Sequence, residues 1–236
     1  MYGILIHINV IGVSQCLIFH DEISLYSMTL EVKKLFCERD ERVLFANFSF
    51  QIDIAEVVQI IGQNGSGKTT LLRILCGLSD AYTGEIFWQG SVLDEVREEY
   101  YRAMLYVGHL AGVKGALTPE ENLRWMMQLD KGLNKCTIAE ALKQVGLFGF
   151  EDVPCHSLSA GQQRRVGLAR LYLSSAPLWI LDEPFTALDK KGVREKEALI
   201  ANHVHEGGSV ILTTHHDLVI PEKTVRPINL DEVAVT

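Results

Sequence analysis

The chain has 236 residues, of which 47% are hydrophobic and 22% charged, and its formal net charge is −8. This length and composition fit one large globular domain, or one domain with a sub-domain, built around an ample core. The acidic balance argues against nucleic acid as a partner, because phosphate backbones are bound by basic patches. The five cysteines are scattered and form no C-x-x-C pair, so neither a zinc site nor a disulfide framework is expected. A reducing, cytosol-facing location is the simpler interpretation.

The first 27 residues contain a strongly apolar stretch between positions 3 and 19. It is slightly short for a membrane-spanning helix and is interrupted by polar residues. It has no basic beginning and no small-residue cleavage site, which argues against a signal peptide. We expect the functional chain to begin at Met28, with 1–27 as an upstream extension; a membrane-touching tail or an extra strand are the alternatives.

Short strands separated by turns are predicted between Met28 and Glu56 and again between Gly84 and Gly90. The polar segment from Arg39 to Arg42 is predicted to be a turn within the first of these regions. We expect the pieces to form a small antiparallel sheet beside the site described next.

Residues 62–69 match G-x-x-x-x-G-K-[ST], the pattern of a phosphate-binding loop. The apolar run 57–61 predicts a buried strand before the loop, and the spacing of 70–75 predicts a helix after it. Glycines allow the loop to aim backbone N–H groups at an anion, and the helix N-terminus adds its positive dipole. We therefore predict that a nucleoside triphosphate binds here, with Lys68 on the β- and γ-phosphates and the Thr69 hydroxyl on Mg²⁺. The predicted nucleotide contacts of the loop are Gly62, Gln63, Asn64, Gly65, Ser66, Gly67, Lys68, Thr69 and Thr70.

A helical sub-domain is predicted over about 92–156, inserted between the two halves of the nucleotide core. Thr118 and Glu121 have the spacing of a capping box around Pro119 at the start of one helix. The predicted helices run from Ser91 to Tyr101, from Pro119 to Leu129 and from Ile138 to Val145.

A second helix N-terminus suited to an anion follows at residues 158–162. Ser159 is a natural cap, and Gly161 allows close approach of a ligand. Taken alone this is a weak signal, because Ser-x-Gly is a common helix cap.

Two carboxylates follow the apolar strand predicted at 178–181. Asp182 is in the position of a Mg²⁺-associated carboxylate beside a phosphate loop. Successive side chains on a strand diverge, so Glu183 can face an attacking water and is the candidate general base. Another buried strand, 210–213, leads to His215, which is predicted to contact the γ-phosphate and to orient Glu183. Lys68, Glu183 and His215 are thus the predicted catalytic residues, and Thr69 and Asp182 the predicted metal ligands.

Five motifs follow one another along the chain: the phosphate loop, Leu-Ser-x-Gly-Gln, Asp-Glu after an apolar strand, Leu-Asp and Thr-His. Their order resembles that in the nucleotide-binding subunits of ABC transporters, and the resemblance covers about 28–230. The resemblance implies an α/β fold of the P-loop NTPase ABC type, with a small antiparallel β sub-domain and an inserted helical sub-domain. It also implies a head-to-tail homodimer in which ATP, held by the phosphate loop of one subunit, meets Ser159, Gly161 and Gln162 of the other. Asp189 would communicate across that interface.

Segments 35–45, 107–114 and 158–187 resemble more narrowly the ATP-binding subunits of the heme exporter of c-type cytochrome biogenesis. That resemblance implies ATP hydrolysis coupled to transport, with integral membrane subunits of a heme exporter as partners. It also implies a peripheral location on the cytoplasmic side of the bacterial inner membrane. The alternatives are a soluble ABC-type ATPase not coupled to transport, the ATPase of another exporter, or a simple P-loop kinase, in which Leu-Ser-Ala-Gly-Gln would have no role.

Two positions depart from the pattern of ABC subunits. Leu110 occupies about the place of a glutamine that contacts Mg²⁺ and water, which leucine cannot do; His109 is a weak substitute. Near position 39 an aromatic ring normally stacks on adenine, and here the planar guanidinium of Arg39 can stack on a base instead. Phe36 is the other candidate for the adenine contact.

Overall fold

The computed structural model describes residues 28–129, 135–186, 188–216, 218–220 and 224–233. The predicted extension, 1–27, lies outside these described residues. The strands are β1 Met28–Arg39, β2 Arg42–Asp53, β3 Val57–Ile61, β4 Thr83–Trp88, β5 Ser91–Val92, β6 Met104–Val107, β7 Leu178–Asp182, β8 Ser209–Thr213 and β9 Val225–Asn229. The α-helices are α1 Lys68–Leu75, α2 Arg97–Ala103, α3 Pro119–Leu129, α4 Ile138–Gln144, α5 Ala160–Leu173 and α6 Lys190–His205, and three short 3₁₀ turns lie at Leu93–Glu95, Cys155–Ser157 and Leu230–Glu232.

An antiparallel sheet of order β2-β1-β4-β5 forms one layer, as predicted. Its long hairpin turns at Asp40 and Glu41, which both have positive φ angles, +52° and +59°. Two such residues in succession close a hairpin whose twist matches that of its strands. Asp40 lines the same cleft as Gly65 and Gly67, which belong to the loop between β3 and α1, so the turn brings one end of the antiparallel sheet to the candidate site.

A parallel sheet of order β6-β7-β8-β3-β9 forms the second layer. Every residue of β7 and β8 is buried, as expected for central parallel strands covered on both faces. In such sheets, ligands bind where the carboxyl ends of the strands meet. The phosphate loop after β3, the carboxylates at the end of β7 and the loop after β8 all lie at that edge.

Helices α3, α4 and α5 pack around a separate apolar cluster that includes Leu123, Leu142 and Val166. Thr118 and Glu121 make the reciprocal bonds of the predicted capping box, at 3.2 and 2.9 Å. None of the helices in the described ranges is both long and apolar enough to cross a membrane.

The helix predicted from Ser91 to Tyr101 is wrong in its first half. Ser91 and Val92 pair with β4, a 3₁₀ turn follows, and the helix begins only at Arg97. The cause is the turn at Gln89 and Gly90, whose φ angles of +49° and +83° close a tight hairpin and draw the next residues into the sheet. The range 92–156 also contains β6, an edge strand of the parallel sheet.

Candidate nucleotide site

The phosphate loop depends on three glycines with positive φ, among them Gly67. Its φ is +101°, and a Cβ there would lie 3.2 Å from Cβ of Leu44. Gly67 is also the N-cap of α1 and makes no side-chain capping bond. The first N–H groups of this helix therefore receive no side-chain cap, as an anion-binding helix end requires.

Polar groups inside the loop are arranged for an anionic ligand. The ammonium of Lys68 donates to the carbonyl of Gly62 at 2.7 Å and to that of Gln63 at 3.0 Å, so it lies folded over the loop. The hydroxyl of Ser66 is buried and has no hydrogen-bond partner in the described part of the chain. Ser66 is not among the residues that line the cleft around Lys68, so the case for an anion rests on Lys68 and on the uncapped N–H groups of α1. The loop therefore fits a triphosphate.

The carboxylate of Asp182 lies between two hydroxyls at the end of β7. It accepts from Oγ1 of Thr69 at 3.0 Å and from Oγ1 of Thr213 at 2.7 Å, and its residue is almost fully buried. Mg²⁺ takes oxygen ligands of this kind, usually one or two carboxylates together with phosphate oxygens and waters. Thr69 and Asp182 thus form a donor pair that fits the predicted metal site.

Glu183 has a strained backbone conformation, with φ at +52°. Its N–H donates both to the carbonyl of Thr213 at 3.1 Å and to the hydroxyl of the same residue at 3.0 Å. Its Oε1 is 3.6 Å from Nε2 of His215, which is too long for a hydrogen bond but within range of an ion pair when the histidine is protonated. Strain of this kind in non-glycine residues is concentrated at functional sites.

Arg164 of α5 is a site residue that the sequence did not reveal. Its guanidinium is buried and donates from one nitrogen to the carbonyls of Gly108 and His109, and from the other to those of Asp182 and Glu183, both at 3.0 Å. Burial lowers its pKa, an effect that the nearby Asp182 carboxylate opposes. All four acceptors are backbone atoms, so no motif in the sequence could reveal the contact.

A cleft of about 590 Å³ opens above these groups. Ten of the predicted site residues line it: Arg39, Asn64, Gly65, Gly67, Lys68, Thr69, Thr70, Asp182, Glu183 and His215. Five further residues do so: Asp40, Arg42, Leu44, His109 and Thr186. Gly62, Gln63 and Ser66 belong to the loop but are not among the residues that line the cleft.

The two candidates for the adenine contact differ in position. Arg39 lines the cleft, whereas Phe36 is not among the lining residues. Nε of Arg39 lies 3.4 Å from Oδ2 of Asp40. Arg42 also lines the cleft, close to Gly65, and its guanidinium makes no hydrogen bond or ion pair with the described residues. Leu110 is 82% exposed and lies outside the cleft, whereas His109 is in its wall.

The second predicted anion site lies elsewhere on the surface. Ser159 caps α5 in a reciprocal arrangement with Gln162, at 3.2 and 2.9 Å, and Asp189 caps α6 by accepting from Gly192 at 2.7 Å. Gly161 and Asp189 line a different cleft of about 330 Å³. One chain therefore does not bring Ser159, Gly161, Gln162 or Asp189 to the cleft that holds Lys68.

Comparisons with known proteins give a consistent answer. The ABC transporter family model matches residues 45–186. The cytochrome c biogenesis ATP-binding export protein CcmA of Pseudomonas fluorescens (strain Pf0-1) is 54% identical over 209 residues, which is 89% of this chain and 99% of that protein. The protein of the same name from Escherichia coli (strain K12) is 52% identical over 203 residues, 86% of this chain and 97% of that protein.

Among solved structures, a dimeric post-hydrolysis state of an ATP-binding cassette bound to ADP and Pi is similar, with a TM-score of 0.69. It is 25% identical, and the match covers 79% of this chain and 88% of that one. The fold, the order of the motifs and the sequence identity to these relatives all indicate the same family. The chain belongs to the ABC transporter ATP-binding proteins, and among them to the family of cytochrome c biogenesis ATP-binding export proteins.

Proposed function

We propose that this chain is the ATP-hydrolysing subunit of an ABC transporter for heme export or delivery in c-type cytochrome biogenesis. It works with integral membrane subunits of a heme exporter, on the cytoplasmic side of the bacterial inner membrane. The observation that carries ATP hydrolysis is the convergence of Lys68, the Thr69–Asp182 pair and Glu183 on one cleft. The link to cytochrome c biogenesis is supported by relatives more than 50% identical over nearly their whole length.

The residues at the cleft have separable tasks. The glycine loop and Lys68 bind the triphosphate, and Thr69 and Asp182 hold Mg²⁺, which neutralises charge on the β- and γ-phosphates. Glu183 takes a proton from the attacking water at its carboxylate, and His215 orients that carboxylate and contacts the γ-phosphate. Phosphoryl transfer of this type depends mainly on positioning and electrostatics, which fits a site built from rigidly held backbone.

A second copy of the chain completes each site. Ser159, Gly161 and Gln162 of one copy face the nucleotide held by the other, and Asp189 lies at the same interface. The separation of these residues from the Lys68 cleft within one chain supports the arrangement. A two-fold pair then forms two equivalent sites, because each copy contributes both halves.

Replacement of the general base tests the proposed chemistry. We expect Glu183→Gln to keep ATP binding, to reduce hydrolysis by about 10²–10⁴-fold and to accumulate an ATP-bound dimer. Steady-state phosphate release and size-exclusion chromatography with ATP measure both effects. Sustained turnover by this variant would show that another group is the base.

Isolation of the complex from membranes tests the proposed partners. We expect the tagged chain to co-purify with integral membrane proteins, and bound heme to be detectable in the complex by its absorption spectrum. Recovery of the chain free of membrane proteins would favour a soluble ABC-type ATPase instead.

A further inference from the structure

The turn that follows β9 brings a carboxylate to the first residues of the phosphate loop. β3 and β9 are parallel neighbours, with Ile61 opposite Asn229. Two positions beyond that pair, Gln63 and Asp231 leave the sheet side by side. The N–H of Gln63 donates to both carboxylate oxygens of Asp231, at 3.1 and 2.9 Å.

Neighbouring contacts hold this carboxylate in place. Leu230, the preceding residue, is fully buried in the main core. The side-chain oxygen of Asn229 accepts from the N–H of Asp231 at 3.1 Å, and its amide nitrogen donates to Glu232 at 2.9 Å. The turn is therefore anchored on both sides of Asp231.

The first glycine of the loop is shaped to this contact. Gly62 has a φ of +151°, and a Cβ there would lie 3.3 Å from Oδ1 of Asp231 and 2.6 Å from Oγ of Ser66. A larger residue would push against both side chains. The requirement for glycine at position 62 thus includes room for the carboxylate.

The peptide unit that joins Gly62 to Gln63 lies between two opposite charges. Its carbonyl oxygen accepts from the ammonium of Lys68 at 2.7 Å, and its N–H donates to the carboxylate of Asp231. Hydrogen bonds in such a chain polarise and strengthen one another. The carboxylate therefore acts on Lys68 through the peptide, without touching it.

We propose that Asp231 is a positioning residue for nucleotide binding, which holds the start of the phosphate loop and, through the Gly62–Gln63 peptide, the ammonium of Lys68. This inference rests on the proposed ATP-binding role of the loop. Asp231 is exposed, so water and salt screen the repulsion between its charge and a bound phosphate. The loss of its hydrogen bonds therefore outweighs the gain from removing its charge.

Three substitutions separate geometry from charge. Asp231→Ala removes the acceptors, Asp231→Asn keeps one of them without the charge, and Glu232→Gln removes a neighbouring charge but keeps its contact with Asn229. Binding of a fluorescent ATP analogue with Mg²⁺ and steady-state ATP hydrolysis are measured on the full chain. We expect Asp231→Ala to weaken binding and raise KM about fivefold to tenfold, with kcat nearly unchanged. We expect Asp231→Asn to bind within about threefold of the parent, and Glu232→Gln to match it.

Amide hydrogen exchange of residues 62–68 in the nucleotide-free chain gives a readout that does not depend on ATP. Asp231→Ala should exchange faster there, while its thermal unfolding stays close to that of the parent chain. Unchanged exchange, or ATP affinity within twofold of the parent, overturns the proposal. Equal weakening by Asp231→Ala and Glu232→Gln also overturns it, because the effect would then not be specific to the carboxylate that accepts from the Gln63 N–H. If the parent chain itself fails to bind ATP, the proposed function fails, and the exchange experiment still decides the role of Asp231 in holding the loop.

Discussion

Replacement of Arg164 by methionine removes the guanidinium that holds the backbone of the two carboxylate residues, Asp182 and Glu183. The φ of +52° at Glu183 costs about 1–3 kcal/mol. Two bonds from the guanidinium to the carbonyls of Asp182 and Glu183 offset this cost, since hydrogen bonds to charged groups contribute about 1.5–3 kcal/mol each. Without them the segment relaxes, and a shift of about 1 Å in the base reduces turnover about 10²-fold.

The expected signature is a loss of kcat with ATP binding retained. Arg164→Met should hydrolyse ATP about 100-fold more slowly while its affinity for a fluorescent ATP analogue changes less than about threefold, because Lys68 and Thr69 are untouched. The turnover of Arg164→Lys should lie between those of the parent chain and Arg164→Met, because a single ammonium cannot bridge all four carbonyls. Arg124→Met is the control, because among the described residues that guanidinium pairs only with Glu120, at the surface. Full turnover by Arg164→Met, or parallel losses of binding and turnover, would refute a positioning role.

Two further predictions address assembly and pH. Ser159→Arg replaces the cap of α5 by a bulky cation, so the monomer should still bind ATP while dimer formation and hydrolysis fail; full hydrolysis by this variant would rule out a shared site. Burial lowers the pKa of His203 from 6.5 to about 4. As the pH falls from 6.5 to 4, this histidine therefore binds a proton in the unfolded chain but not in the folded chain. The free energy of unfolding falls by up to about 3 kcal/mol as a result. In urea unfolding across this pH range, His203→Phe, which retains the stacking on Trp179, should show a smaller loss, and an identical pH profile for both chains would contradict the assignment.

The sequence was most informative where function depends on local pattern. The apolar run before Gly62 and the helical spacing after Lys68 indicated a strand, loop and helix, and the structure has β3 and α1 on either side of the loop. An acid at the end of a buried parallel strand was expected beside that loop, and Asp182 lies 3.0 Å from the hydroxyl of Thr69. These features depend on neighbours in the sequence or on the general rule that strand ends meet at one edge.

The sequence failed where the outcome depends on partners distant along the chain. Ser91 and Val92 fit a helical pattern, yet pairing with β4 makes them an edge strand, because tertiary pairing overrides a weak local preference. The role of Arg164 depends on carbonyls more than 50 residues earlier and about 20 residues later. Backbone acceptors leave no trace in side-chain identity, so neither motif nor spacing could point to them.

Arg164 and Asp231 both act on the site through hydrogen bonds to the backbone, but they bind opposite groups of the peptide unit. The guanidinium of Arg164 binds carbonyl oxygens at the carboxylate end of the cleft, and the carboxylate of Asp231 binds an N–H at the start of the phosphate loop. Neither is among the residues that line the cleft, so neither is placed to touch the nucleotide. Arg164 holds the proposed general base and Asp231 holds the proposed phosphate loop, so we expect loss of the first to slow turnover and loss of the second to weaken affinity. We therefore expect nucleotide affinity and hydrolysis to be under separate structural control, the first from the turn after β9 and the second from helix α5.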